Sequence, residues 1–160
     1  MLRDLIVHDY LAVDSTFAAD ADMVTGAGVV KDFTTKTAGF PAAETAADIM
    51  FVQKARIPTG INAARTEFSD YDPDFVNVTK GEKVVLYHYP ADATFGTDQF
   101  NVETLTKGNE GKRVAWGVDG KATVASSSVA SVYVFKGLYE EAKGRTLAEI
   151  YVSDTPATNS

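Results

Sequence analysis

The sequence predicts an all-β protein: a small β-barrel or sandwich with an irregular, partly stranded N-terminal segment. Short runs of β-branched and aromatic residues follow one another along the second half of the chain, and turn residues separate them at the spacing typical of sandwiches and barrels. None of these runs is long enough for a central helix. The predicted strands cover residues 83–89, 99–105, 113–118, 121–125, 131–138 and 145–152.

Glycine marks the turns between these strands. Asp119-Gly120 separates two runs, and an Asp-Gly pair readily takes the positive φ angles of a type I′ hairpin turn. Gly81, Gly111 and Gly144 mark further turns, because glycine enters left-handed conformations without the steric cost that other residues carry. Several strands are apolar on both faces, which predicts a core on one face and a neighbouring segment or subunit on the other.

The first half of the chain is less regular. Strands are expected at 22–33 and 48–54, and the stretch after Pro41 can form at most a short helix or a loop. The apolar residues of the N-terminal run lie near helical spacing, but the run could equally be an edge strand. The acidic segment 69–74 is the best candidate boundary, because its proline forces the preceding residue out of the helical region. We therefore expect an N-terminal arm and irregular β segment over 1–75, a β-barrel or sandwich over 76–153, and a mobile tail over 154–160.

The N-terminal run carries an apolar set that is too short to bury itself alone. It could dock on the rest of its own chain or on a partner. We treat it as the candidate partner-binding surface, whose residues are Leu2, Leu5, Ile6, Tyr10, Leu11 and Val13.

Composition limits the function classes. The chain has 160 residues, no cysteine, and 15 Lys and Arg against 22 Asp and Glu, for a net charge of −7. This acidic balance argues against a surface that tracks phosphates, so nucleic acid is not an expected partner. Charged residues interrupt the apolar N-terminus and no long apolar run follows, so neither a signal peptide nor a membrane partner is expected.

Histidine and carboxylate patterns give no complete catalytic or metal site. His8 and His88 are too few for a histidine metal cluster, and His88 is expected to fill a half-buried strand position. Asp70, Asp72 and Asp74 resemble the opening of a calcium loop, but the glycine and glutamate that should follow are missing. We expect no metal and no cofactor, and we interpret the three aspartates as a solvated turn.

Other motifs have a structural and a functional interpretation. Gly26-Ala27-Gly28 lacks the third glycine of a dinucleotide loop and is better explained as a bend where two strands pass closely. Trp116 is expected in the core, the alternative being a sugar platform formed with nearby tyrosines. Carboxylate pairs that could support hydrolysis fall at predicted turns or strand edges, and they are Glu140 with Glu141 and Glu103 with Glu110.

A series of short motifs gives the chain a family resemblance. The motifs are VTGAGVVK at 24–31, an Ala/Thr-rich link with Pro41, IMFVQK at 49–54, TGIN at 59–62, SDYD at 69–72 and KGEKVV at 80–85. In style and order this series resembles the capsid decoration, or cement, proteins of tailed bacteriophages.

The resemblance implies a structural protein and no enzyme. Such a protein binds the outside of an assembled capsid through the major capsid protein, often as a trimer and through an N-terminal arm, and it is made in the host cytoplasm. The irregular first 75 residues exceed what a minimal cement protein needs. That length leaves open a head-fibre or tail role, or a carbohydrate-binding host-attachment module, and a hydrolase is the remaining alternative.

Overall fold

The computed structural model describes residues 1–7, 11–55, 76–141 and 144–160. Within these ranges the chain forms strands joined by turns and loops, which confirms the predicted all-β class. The strands are β1 (Leu2–Ile6), β2 (Ala12–Asp14), β3 (Ala18–Ala19), β4 (Met23–Val24), β5 (Gly28–Asp32), β6 (Thr37–Gly39), β7 (Met50–Lys54), β8 (Asn77–Val78), β9 (Val84–His88), β10 (Thr94–Thr97), β11 (Val114–Trp116), β12 (Ala122–Val124), β13 (Ser131–Glu140) and β14 (Thr146–Ala157).

Two larger sheets form the body of the protein. One has four strands in the order β1-β10-β14-β13, and the other has six in the order β2-β9-β7-β5-β6-β3. Two strand pairs, β11-β12 and β4-β8, complete the described sheets. The β3-β6 pair is parallel and the other pairs are antiparallel.

Buried side chains form two hydrophobic cores on opposite faces of β7. Successive side chains of a strand point to opposite faces, so Phe51 enters the first core while Met50 and Val52 enter the second. The first core also receives β10, β13, β14 and the β11–β12 hairpin. Its largest members are Ile49, Phe51, Tyr89, Phe95, Phe100, Leu105, Trp116, Tyr133, Phe135 and Ile150. The second core consists of Phe17, Ala19, Met23, Val29, Ala38, Met50, Val52, Val78, Val84 and Leu86. Both faces of the central strands are therefore covered by this chain itself.

The six-stranded sheet curls around the second core. Ala18 in β3 pairs with Thr37 in β6, and on its other side it bridges Lys83, just before β9. The amide of Ala19 donates to the Glu82 carbonyl at 2.9 Å. The sequence predicted a barrel or a sandwich. No sheet of the described residues is closed into a barrel, and the arrangement is sandwich-like.

One predicted strand of the second half is wrong. Residues 99–105 form a turn, because the Asn101 carbonyl accepts the Leu105 amide at 2.9 Å and its side-chain oxygen accepts the Glu103 amide at 2.9 Å. The strand lies earlier, as β10, where the missing side chain of Gly96 leaves room for Leu147. The other five predicted strands correspond to β9, β11, β12, β13 and β14.

The hairpin predicted at Asp119-Gly120 is present with a different turn. Val114 pairs with Val124, and Trp116 pairs with Ala122. The Gly120 amide donates to the Gly117 carbonyl at 3.0 Å, and within this turn only Gly120 has a positive φ, of 69°. A type I′ turn requires two positive φ angles, so this connection is a longer turn closed by one left-handed glycine.

The predicted division at residue 75 does not separate two structural units. β9 from the second half lies between β2 and β7 from the first half, and β1 pairs with β10. The predicted boundary itself, residues 69–74, lies outside the described residues.

The tail expected to be mobile makes contacts with the rest of the chain in the structure. β14 extends to Ala157, which pairs with Ser131, and the side chain of Asn159 is hydrogen-bonded to the β11–β12 hairpin. The small and polar residues of the tail indicated mobility. The tail is nevertheless attached through backbone pairing and the Asn159 amide, and neither contact requires a large apolar residue.

Candidate functional site

Of the residues predicted to bind a partner, Leu2, Leu5 and Ile6 lie in β1 and Val13 lies in β2, while Leu11 directly precedes β2. β1 pairs with β10, and β2 pairs with β9. Leu2 and Leu11 are half-buried and pack against the first core. Leu5 is also half-buried, near Leu147 beside Gly96. Three of the six predicted residues therefore contribute to packing within this chain.

Ile6 and Val13 remain exposed, with 44% and 55% of their surface accessible. β1 and β2, which carry them, are each the outermost strand of their sheet among the described residues. Tyr10, the sixth predicted residue, lies outside the described residues. Ile6 belongs to the four-stranded sheet and Val13 to the six-stranded sheet, and we call these two exposed side chains together the N-terminal surface.

Polar contacts fix the start of β1. The Met1 amine donates to the Thr25 carbonyl at 2.7 Å and forms an ion pair with Asp98. Burial lowers the pKa of this amine, and the hydrogen bond to Asp98 opposes that shift. Asp98 also pairs with Arg145 at 2.7 Å, so one carboxylate joins the start of β1 to the start of β14.

The Tyr89 hydroxyl makes a second anchor for β1. It donates to the Asp4 carboxylate at 2.5 Å, while its ring stacks on Phe95 with 4.3 Å between centroids. Burial, followed by the bond to Asp4, raises the pKa of Tyr89 well above its ordinary value near 10. This strand is thus held by backbone pairing and by side chains on both of its faces.

Trp116 is not a surface platform for sugars. It is fully buried, edge-on to Phe51 at 5.2 Å and to Tyr133 at 4.7 Å between ring centroids. Its indole nitrogen has no hydrogen-bond partner among the described residues. The core interpretation of Trp116 is the one that the structure supports.

The glycines of the Gly-x-Gly motif lie where other groups approach the backbone. Gly26 has a φ of 97°, and a Cβ placed there would lie 2.6 Å from the Met1 carbonyl oxygen. A Cβ on Gly28 would lie 2.3 Å from Cδ1 of Trp116. Close packing explains both glycines without a nucleotide.

The other predicted polar candidates do not converge. His88 is exposed and not half-buried as predicted, because it lies at the end of β9. Glu141 pairs with Arg3 at 2.9 Å, Glu110 accepts the Gly108 amide at 2.6 Å, and Glu103 is exposed in a turn. His8 and the aspartates at 70, 72 and 74 lie outside the described residues. Across the ranges that the structure does describe, no three His, Asp or Glu side chains come together to hold a metal ion.

An exposed aromatic residue at the β5–β6 turn was not predicted. Phe33 is 67% exposed and meets Phe17 edge-to-face at 5.5 Å, with the Lys36 ammonium 5.8 Å from its ring. Below this turn Lys31 pairs with Asp14 at 2.7 Å, and that hydrogen bond is the largest cause that lowers the pKa of Asp14 to about 2. A phenylalanine followed by two threonines and a lysine between two strands could have indicated an exposed turn.

Comparisons with protein-family models, with curated proteins and with solved structures returned no match for this chain. Among the described residues, no helix has the length and apolar character needed to cross a membrane.

Proposed function

We propose that this protein is a virion structural protein that binds the outside of an assembled capsid and stabilises it, with the major capsid protein as its partner. The resemblance to bacteriophage decoration proteins motivates the proposal. The observation that supports it is the N-terminal surface, where Ile6 and Val13 expose apolar side chains on outermost strands that pair with the rest of the fold.

A rigid surface suits a binding role better than a loose arm does. The contacts of Met1, Asp4 and Asp98 fix β1 before any partner arrives, so binding would not have to order this segment. We accordingly propose attachment through side chains that point away from the fold. This differs from the detached arm that the sequence suggested, because β1 and β2 are integral strands.

Particle binding tests the proposal. Mass spectrometry of purified particles of the encoding virus should detect the protein, and the isolated protein should co-sediment with capsids that lack it. Ile6→Lys and Val13→Lys should each weaken co-sedimentation at least about tenfold, because a lysine must be desolvated in an apolar contact. Light scattering tests the accompanying proposal of a trimer.

Val102→Lys and Val118→Lys are the matched controls. Both valines are more exposed than Ile6 and Val13, at 69% and 66%, and they lie in turns and not in β1 or β2. They should bind particles like the unmodified chain. If the protein is absent from particles, the virion role is refuted, and if the control variants lose binding equally, the proposed surface is refuted.

A head-fibre, tail or host-attachment role is the alternative within the virion. The hypothesis of a carbohydrate-binding module relied on Trp116 as a stacking surface for sugars. The burial of the Trp116 ring removes this support. Detection of the protein in tails but not in heads would favour the alternative.

A further inference from the structure

The side chain of Asn159 takes the place of a strand at the open end of the β11–β12 hairpin. Its Oδ1 accepts the backbone N–H of Arg113 at 2.7 Å. Its Nδ2 donates to the carbonyl of Arg113 at 3.1 Å and to the carbonyl of Ala125 at 2.6 Å. One amide therefore serves one donor and two acceptors of the backbone, as a neighbouring strand would.

These bonds lie where the hairpin ladder stops. The last paired residues are Val114 and Val124, and beyond them the Ala125 amide still donates to the Arg113 carbonyl at 2.8 Å. Nothing else in the described structure bonds the Arg113 amide or the Ala125 carbonyl. Without Asn159, both groups would have to turn to water, which favours fraying of this end.

The segment that carries Asn159 has few other attachments. Residues 154–158 are exposed, and between Val152 and Ala157 the ladder with β13 is interrupted. The contacts before Asn159 are the pairing of Ala157 with Ser131 and the bonds of the Ser153 hydroxyl, which accepts from the Arg113 guanidinium at 2.6 Å and donates to the Val132 carbonyl at 2.8 Å. A segment held at separate polar points can open without unfolding the cores.

We infer that residues 158–160 form a strap that opens and closes over the end of the β11–β12 hairpin, with the Asn159 amide as its latch. When closed, the strap fixes the hairpin that carries Trp116 into the first core. When it opens, the ends of β11 and β12 lose the hydrogen bonds of Asn159 and the pairing of Ala125 with Arg113 frays, while Arg113 keeps its bridge to Val134 of β13. This device is independent of the proposed virion role.

Native-state hydrogen exchange of the full chain, followed residue by residue by NMR, tests the strap. In Asn159→Ala the Arg113 amide should exchange at least about tenfold faster, and the Ala125 amide should also lose protection. The amide of Gly26 donates to the Val52 carbonyl at 2.8 Å and the amide of Val52 donates to the Ala27 carbonyl at 3.0 Å, and both amides should keep their rates. Thr158→Ala changes the neighbouring residue of the strap and should leave all four rates unchanged.

The Asn159→Asp variant distinguishes the loss of the Asn159 hydrogen bonds from the loss of side-chain volume, because aspartate is almost the same size as asparagine. Aspartate retains an oxygen for the Arg113 amide but cannot donate to the two carbonyls. The Arg113 amide should therefore stay better protected than in the alanine variant, while the Ala125 amide exchanges faster than in the unmodified chain. An unchanged Arg113 rate in Asn159→Ala would refute the strap. So would an equal acceleration at Gly26 and Val52, because that would be global destabilisation.

Discussion

The contact between Gly28 and Trp116 gives the sharpest test of the packing. A methyl group at Gly28 would lie 2.3 Å from Cδ1, 2.6 Å from Cγ and 2.7 Å from Nε1 of the indole. Carbon atoms pack best at about 3.5–4.0 Å, so Gly28→Ala requires the ring or β5 to move by roughly 1 Å. Gly28 has no positive φ, so the expected effect is steric and not a matter of backbone strain.

The ring has little room to move. Phe51 and Tyr133 pack against it, and the backbone of Trp116 exchanges hydrogen bonds with Thr45 in both directions, at 2.8 and 3.0 Å. Overpacking of a well-filled core costs about 1–3 kcal/mol. We expect Gly28→Ala to lie at the upper end, near 3 kcal/mol. For a chain of this size that corresponds to a fall in Tm of about 6–12 °C.

Urea and thermal unfolding followed by circular dichroism measure this loss. The chain contains one tryptophan, so its fluorescence reports on this contact alone, and the native emission of the variant should shift to the red. Gly117→Ala is the control, because its Cβ would have Asp119 Oδ1 as its nearest neighbour, at an ordinary 3.6 Å. A loss under about 1 kcal/mol with unchanged emission, or an equal loss in the control, would refute the reasoning.

Three further predictions concern ionisation and the N-terminal strands. The pKa of the Asp14 carboxyl, read by NMR titration, should be about 2 and rise towards 3.8 in Lys31→Met. Because its folded pKa is depressed, the stabilisation from Asp14 is present above about pH 4 and lost as the pH falls through about 2. The pair with Lys31 is only partly buried, which limits this stabilisation to about 1 kcal/mol. Burial raises the pKa values of Tyr89 and Tyr133, so an ultraviolet titration should find both hydroxyls protonated above pH 10 until the protein unfolds. Ionisation of these tyrosines at their ordinary pKa without unfolding would contradict their burial. Deletion of residues 1–22 should abolish the cooperative melt, because it removes β1, β2 and β3 together with core side chains, and a cooperative melt in the truncated protein would restore the detached-arm interpretation.

The strand content could be predicted from the sequence because it depends on local features. Runs such as 131–138 combine β-branched and aromatic residues with flanking turn residues, and these preferences act within a few positions. The Asp119-Gly120 hairpin followed for the same reason. The strand predicted at residues 99–105 was wrong, because Asn101 accepts hydrogen bonds from Glu103 and Leu105 and so forms a turn.

The candidate surface could be predicted only in outline. The sequence indicated an apolar N-terminal run, but it did not distinguish Leu2 and Leu11, which pack against the first core, from Ile6 and Val13, which remain exposed. That difference depends on the register of β1 against β10 and of β2 against β9. Register joins residues more than 70 positions apart, and no local pattern contains it.

The sequence by itself determined the all-β class, most strand positions and the acidic charge of this protein. Only the tertiary structure decided that the chain's two halves share their sheets, that Gly28 makes room for Trp116, and that Asn159 holds the hairpin end. Each of these features is a contact between segments far apart in the chain. Local propensity selects the strand, but the partner of each strand and side chain is chosen by how the whole chain packs its two cores.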